Sequence, residues 1–467
     1  MPQMNDDVKL KLYIDTLGCP KNFNDSEAAA GIWEKAGWQM CDDPLQADVI
    51  MVNTCGFIGD AKKESIDHIF DMVRLAQDRE DEGSARPVLI VSGCLSQRYG
   101  QELSDEIPEV DLFLGVNEYE RLPRILEQRL EEQRDPTSQQ DLQNKVWTGC
   151  APEMFEEFSA RKLEENPYSA TIRIAEGCNN CCAYCVIPQI RGGYRSRRME
   201  DIVREGETLA RAGCKELILI AQDVTEYGRD IYGQLRLPQL LQKLAAIEGI
   251  QWIRLMYCYE DKITDELVRV MASEPKVCHY IDIPLQHCSD HVLQQMGRRS
   301  TNASIRDTIG RLREAIPDIH IRTTFITGFP GETEEEFGEL SDFAEEMRFE
   351  RLGVFAYSQE EGTPAGDRPD QIDEEIKARR ADQIMRHQID ISREINQAKV
   401  GSIQQVLVEE IDEDGAFVGR TRYDAPEIDG SVIFRMRDDA GAPPEPGDLV
   451  EVRIIDAFDY DLVGESV

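Results

Sequence analysis

The sequence predicts an α/β chain with an N-terminal parallel α/β domain (8–130), a linker (131–167), a central partial (βα)6 barrel (168–396) and a C-terminal small antiparallel β-barrel (397–467). Three observations predict it. Over the first 130 residues apolar strand-like runs alternate with amphipathic helical patterns, as in a parallel sheet. From 168 to about 395 such runs recur roughly every 30 to 45 residues, each followed by a helical pattern, the rhythm of βα units. After a long charged helical pattern, "DEEIKARRADQIMRHQIDISREINQAKV", short strand runs are separated by Gly, Asp and Pro turns, as in a small β-barrel.

In the N-terminal domain, three strand runs end alike. "VKLKLYIDTLGC" stops at Cys19, "ADVIMVNTCG" at Cys55 and "PVLIVSGCL" at Cys94, each where the chain leaves a strand. Ligands of open α/β sheets bind beyond the carboxyl ends of the strands, so three cysteines there can converge on one point. The linker, "EEQRDPTSQQDLQNKVWTGCAPEMFEEFSARKLEENP", has little apolar periodicity, and its Cys150 has no partner by spacing.

The barrel strands are "ATIRIAEGC", "ELILIAQDV", "IQWIRLMYC", "YIDIPLQHC", "IHIRTTFITGFPG" and "RLGVFAYS". Six units make an incomplete version of the eight-unit barrel, whose chemistry sits at the carboxyl ends of the strands. Cys178, Gln222 with Asp223, Gln286 with His287, and Gly328 fall at those ends. Thr333 precedes Glu336 by three residues, a capping box that starts the next helix.

The formal charge of −38 argues against a broad, sequence-independent grip on nucleic-acid phosphates and favours a basic protein partner. With 14 Lys against 38 Arg, adaptation to high salt explains the acidity equally well. The 401–467 segment carries 17 acidic and 5 basic residues, the wrong sign for holding phosphates unaided. No apolar run approaches the ~20 residues that span a bilayer, so no membrane partner is expected. The polar, acidic start lacks the basic and apolar regions of a secretory signal, and a cytoplasmic location is expected. There thiols stay reduced, so clustered cysteines point to metal ligands or catalysis rather than disulfides.

Residues 176 to 193, "EGCNNCCAYCVIPQIRGG", pack Cys178, Cys181, Cys182 and Cys185 into eight positions. A closed tetrahedral zinc site usually needs two separated ligand pairs, and no second C-x-x-C with a matching partner stands nearby, which disfavours zinc. An electron-carrying four-iron cluster needs four cysteines, whereas this run most naturally supplies three in C-x-x-x-C-x-x-C spacing: Cys178, Cys182 and Cys185. One iron is then left open to bind a small molecule and pass it an electron. Cys181 is the spare, read as a small buried thiol or an alternative ligand in a shifted register.

This spacing, with an aromatic residue, Tyr184, just before the last cysteine, resembles the signature of the radical S-adenosylmethionine superfamily. The resemblance implies that the cofactor chelates the open iron and is cleaved by one electron to methionine and a 5′-deoxyadenosyl radical, with the protein supplying binding, orientation and exclusion of water.

Singly, Cys19, Cys55 and Cys94 read as inert buried thiols. Together, in "LGCPKNFNDSE", "VNTCGFIGDAKKES" and "VSGCLSQRYGQEL", they resemble the N-terminal domain of the methylthiotransferases, which insert sulfur and a methyl group into a C–H bond. The resemblance runs along essentially the whole chain and implies a radical domain, a C-terminal barrel of the TRAM type, and a second 4Fe-4S cluster on Cys19, Cys55 and Cys94 holding the sulfur to be delivered. Two 4Fe-4S clusters and S-adenosyl-L-methionine are the cofactors it implies.

"LGCPKN" at 17–22, "DIPLQHCSDHVLQQMGR" at 282–298 and "DAPEIDG" at 424–430 resemble the branch that modifies an aspartate of ribosomal protein S twelve. The branch that modifies adenosine in transfer RNA typically has Gln where Pro20 stands and a more basic C-terminal barrel. The resemblance thus implies the ribosomal protein as partner, free or in the small subunit, with an electron donor such as flavodoxin or ferredoxin and no direct RNA binding. The transfer-RNA branch is the alternative, and a non-catalytic iron-sulfur carrier or RNA-binding protein is the remote one.

Tyr184, Gln222, Thr324 and Gly328 are candidates for lining the cofactor, each open to a barrel-core or turn role. Gln286 and His287 are candidates for facing the substrate, with a structural histidine the plainer role for His287. The tryptophans at 33, 38, 147 and 252 are expected to pack.

Overall fold

The computed structural model describes residues 9–134, 145–152, 154, 157, 160–163, 167–437 and 442–467. Contacts divide the chain into two compact units: residues up to 164 with 176–179 and 185–195, and residues 165–175, 180–184 and 196–467.

The first unit is built on β1 (Lys11–Thr16), β2 (Gln39–Met40), β3 (Val49–Thr54), β4 (Val88–Gly93), β5 (Leu112–Leu114) and β6 (Val146–Trp147). They form one parallel sheet in the order β2-β1-β3-β4-β5-β6. Every residue of β3 and β4 is buried, as expected of apolar strands covered on both faces. Strand alternation sends Val49 and Met51 to a core with Leu12, Trp33 and Ile90, and Ile50 and Val52 to a second core with Ile69, Leu89 and Val91. Because β1, β3 and β4 are neighbours, the residues that follow them share one edge of the sheet. The stretch expected as linker contributes β6, two residues too short for periodicity to register, while 135–144 and several positions after 152 lie outside the described residues.

The second unit holds the six expected βα strands: β7 (Ser169–Arg173), then, after the short strands β8 (Ala175–Glu176) and β9 (Arg195–Ser196), β10 (Glu216–Ile220), β11 (Trp252–Leu255), β12 (Val277–Gln286), β13 (His320–Thr327) and β14 (Arg351–Ala356). They lie in sequential order and all parallel, an open sheet rather than a closed barrel. Thr333 caps the helix Glu334–Met347 through the Glu336 backbone N–H, and Glu336 reciprocates.

The C-terminal strands β15 (Ile403–Ile411), β16 (Phe417–Thr421), β17 (Val432–Arg435), β18 (Leu449–Ala457) and β19 (Leu462–Ser466) form a closed barrel. The expectation of purely antiparallel pairing is corrected at β17–β19, which run parallel. The reason is parity: strands alternating up and down cannot close a ring of five, so one parallel pair is obligatory.

Buried ion pairs fasten this barrel to the βα sheet. Glu216 on β10 binds Arg254 on β11 (2.9 Å) and Arg420 on β16. Burial pushes the Glu216 carboxyl up, but Arg420 and Arg254 outweigh it and hold it at about 2. Within "DAPEIDG", Asp424 pairs with Arg351, and Asp429 accepts from the Tyr280 hydroxyl at 2.7 Å. Both carboxylates are buried, so this stretch anchors the barrel.

Candidate active site and cysteine centres

Exposure sorts the cysteines of the 176–193 loop. Cys178 and Cys182 are buried, Cys185 is half-buried and Cys181 is exposed. Cys181 is therefore not the small buried thiol expected of a spare cysteine. In the first unit, the Cys178 N–H donates to Gly192 O at 3.1 Å. Gly177, at φ +78°, passes so close to the same segment that an added Cβ would stand 2.1 Å from Gly193 O. In the second unit, Cys182 Sγ lies 3.2 Å from the Tyr259 hydroxyl, and the Ala183 N–H donates to Met296 O at 2.9 Å. A cavity of about 60 Å³ beside Cys182 is lined by Asn180, Tyr259, Arg298 and Ser300.

Asp223, at the carboxyl end of β10, accepts from Asn180 Nδ2 (2.9 Å) and from Lys262, which also reaches Glu226 at 3.1 Å. Burial draws the Lys262 ammonium down, but Asp223 and Glu226 outweigh it and raise its pKa. The loop residue next to Cys181 is thus tied to the strand edge. Tyr259, Lys262 and Arg298 had no sequence signal; they lie 77 or more positions from Cys182 or in another unit of the βα pattern.

The four expected cofactor-lining residues occupy different settings. Tyr184 packs beside Phe329, Met296 and Tyr357. Gln222 follows β10 half-buried. Thr324 lies within β13, and alternates with Phe325, which packs on Phe343 and Phe349 of the helical side, so Thr324 faces the opposite, inner side. Gly328, at φ +72°, leaves no room for a side chain: an added Cβ would stand 2.2 Å from Lys377 Cγ, which gives this glycine a packing reason of its own.

His287 is fully buried, its Nδ1 accepting from the Ser289 N–H at 2.9 Å and its Nε2 3.6 Å from Glu332, which accepts from the Gly328 N–H. It lies between the end of β12 and the Gly328 turn, held through its Nδ1, while its buried Nε2 makes no hydrogen bond among the described residues. Gln286 differs in its backbone. It sits at φ +72° where the β12 register shifts, and its buried Oε1 has no hydrogen-bond partner among the described residues. Tyr257, just past β11, is likewise at φ +60°. Non-glycine residues in this region store strain, and such strain gathers at functional edges.

The second set of cysteines lies wholly in the first unit. Cys19 caps the helix Pro20–Lys35, Cys55 follows β3 and Cys94 opens the helix Cys94–Glu106. Adjacent glycines let these turns close up. At Gly18, φ +95°, an added Cβ would stand 2.7 Å from Cys55 Cβ and 3.2 Å from its Sγ; at Gly93, φ +94°, it would stand 2.4 Å from Thr54 O. Asn22 braces the three turns, donating from Nδ2 to Leu17 O (2.8 Å) and Thr54 O (3.0 Å), with its Oδ1 3.7 Å from Cys94 Sγ. Burial pushes the Cys55 thiol up to about 12 and raises Cys94 as well.

Among the described residues no three His, Cys, Asp or Glu side chains stand at single-ion spacing. Sulfurs tetrahedral about one zinc at ~2.3 Å crowd together, whereas cysteines at separate corners of a cluster stand wider. The donor set fits a cluster: three cysteines on turns that Asn22 and two glycines draw together, with Cys55 and Cys94 held protonated by burial in the metal-free fold and stabilised as thiolates by a soft metal centre. The loop triad fits on its donor chemistry and on the burial of Cys178 and Cys182.

An open six-stranded βα sheet with a C-x-x-x-C-x-x-C loop at its first strand defines a radical S-adenosylmethionine protein. Residues 172–344 match the radical SAM superfamily, residues 11–115 the family described as uncharacterized protein family UPF0004, and residues 400–467 the TRAM domain. The chain is 45% identical to the ribosomal protein uS12 methylthiotransferase RimO of Geobacter sulfurreducens over 98% of this chain and 99% of that one. It is 47% identical to the protein of the same name from Desulforamulus reducens over 96% and 98%. The chain belongs to this family of radical SAM methylthiotransferases. Among solved structures it resembles the radical S-adenosylmethionine methyltransferase TsrM of Kitasatospora setae, with TM-score 0.53 and 14% identity, covering 85% of this chain and 81% of that one. It also resembles the cobalamin-dependent radical enzyme OxsB (TM-score 0.53, 13% identity, 81% and 56% covered). At these identities the likeness concerns the fold alone.

Proposed function

We propose that this enzyme adds a methylthio group to the β-carbon of an aspartate of ribosomal protein uS12, using S-adenosyl-L-methionine and two 4Fe-4S clusters. The near full-length identity to relatives named for this activity carries the reading. When bound, the clusters and S-adenosylmethionine supply one-electron cleavage chemistry and the sulfur and methyl group to be transferred. Cys178, Cys182 and Cys185 hold one cluster, with Cys181 outside the set because it is exposed. Cys19, Cys55 and Cys94 hold the other, their thiols giving up protons as metal binds.

The remaining roles belong to binding and orientation. Tyr184, Gln222 and Thr324 bind S-adenosylmethionine, and the Gly328 backbone turn shapes the same edge. Gln286 offers its unpartnered Oε1 as an acceptor at that edge. A one-electron donor of flavodoxin or ferredoxin type supplies the electrons. No helix among the described residues is long and apolar enough to cross a membrane.

The test is a substrate choice. Reconstituted, reduced enzyme is incubated with S-adenosylmethionine and either uS12 or unmodified transfer RNA, and the products are examined by mass spectrometry. A methylthio group on one aspartate of uS12 alone is the expected result. Modification of the RNA alone keeps the radical chemistry and overturns the substrate.

A further inference from the structure

Arg191 closes the helix Ile187–Arg191, six residues beyond Cys185, yet its guanidinium is buried in the first unit. Its Nη2 donates to Asp25 Oδ2 at 2.9 Å, Asn22 Oδ1 at 3.1 Å and Cys94 Sγ at 3.5 Å. Its Nη1 faces both oxygens of Glu176 at 3.3 Å. Asp25, Glu176 and Arg191 are all buried, and the backbone carbonyl of Arg191 is held by Arg195 at 3.1 Å. A second basic side chain, Lys21, follows Cys19 by two residues and is buried.

A buried ion pair is weak evidence for stability, since apolar residues of similar volume often serve as well. The arrangement here does something that apolar packing cannot. It places a fixed positive charge and an N–H donor at the sulfur of Cys94, on the same Asn22 that braces the three cysteine turns. Hydrogen bonds to ligand sulfurs and the net charge around a cluster set its reduction potential. Adding an electron makes a cluster more negative, so a donor and a cation at a ligand sulfur favour the reduced form.

We propose that Arg191 is a positioning residue of the N-terminal cysteine centre: its guanidinium, donating to Cys94 Sγ, raises the reduction potential of the cluster held there. The inference rests on the reading that Cys19, Cys55 and Cys94 ligate a cluster. Asp25 and Glu176 hold the guanidinium in place and offset its charge.

The experiment is an electron paramagnetic resonance redox titration of the full-length, anaerobically reconstituted protein in two backgrounds. Cys178→Ala/Cys182→Ala/Cys185→Ala leaves the N-terminal cluster alone; Cys19→Ala/Cys55→Ala/Cys94→Ala leaves the loop cluster alone. In the first background Arg191→Gln is expected to disfavour reduction at least tenfold, a midpoint about 59 mV lower for a one-electron couple, with Arg191→Lys between it and the parent. In the second background the same substitutions are expected to shift the midpoint by less than half as much. Arg191→Gln/Asp25→Asn, which removes one charge of each sign, carries the test if the single variant does not fold, and is expected to lower the midpoint too. Unchanged midpoints in the first background, or equal shifts in both, overturn the role of Arg191 while leaving the cluster reading standing. Failure of the first background to bind iron overturns that reading and this role with it.

Discussion

The two cysteine triads present the same donor set by opposite routes. One is drawn from eight consecutive positions of a single loop, Cys178 to Cys185. The other is gathered from three strand ends, Cys19, Cys55 and Cys94, and exists only once β1, β3 and β4 have paired. The loop triad is therefore set mainly by local chain geometry, whereas the strand-end triad depends on the sheet register and on glycines that admit close approach. The difference teaches where each should fail.

The largest effect is expected within the loop. Cys182→Ala should abolish formation of 5′-deoxyadenosine from S-adenosylmethionine, measured by chromatography and mass spectrometry. Cys181→Ala, at an exposed thiol, should leave it intact. Equal losses would mean that the ligand register is shifted by one and that burial has sorted the cysteines wrongly.

At the strand-end triad a change that touches no sulfur should still be felt. Gly93→Ala puts a Cβ 2.4 Å from Thr54 O at φ +94°. It should cost about 1–3 kcal/mol in urea unfolding and lower iron bound by the first unit. Unchanged stability and iron would show that the turns have slack.

The chemistry of the thiols sharpens the contrast further. Folded Cys55 keeps its proton up to about 12, whereas an unfolded thiol loses it near ~8.5. The stability gained by keeping Cys55 neutral is full below the lower value and is lost as pH rises to the upper one. Alkylation of the metal-free protein near pH 8 should reach exposed Cys150 and Cys181 at least roughly tenfold faster than Cys55, as peptide mapping by mass spectrometry would show. The smallest effect serves as a control: Thr333→Ala removes a capping box distant in sequence from both triads and should cost about 1 kcal/mol in urea unfolding without changing iron content.

The same contrast explains what could be read in advance. The βα strands were legible because strand-like runs recur roughly every 30 to 45 residues, each followed by a helical pattern, and the cysteines because several of them end such runs. Two-residue β6 was not, being below any period. The parallel β17–β19 pair followed from closing five strands, a constraint no single strand carries. "DAPEIDG" reads as a recognisable stretch, but only the ion pairs of Asp424 and Asp429 show that it fastens the barrel rather than adding to an acidic surface. Arg191 could not be foreseen at Cys94, since Cys94, Asp25 and Asn22 lie 97 to 169 positions away. Gln286 gave its place at a strand end but not its backbone strain, which comes from the shifted register of β12.

The central claim is that two triads of cysteines hold two separate clusters. It is tested most directly by iron and sulfide determination on the anaerobically reconstituted wild type and on the two triple-alanine variants, one per triad. Two clusters predict about eight iron per chain in the wild type and about half in each variant. Full iron content after loss of Cys19, Cys55 and Cys94 would contradict the account.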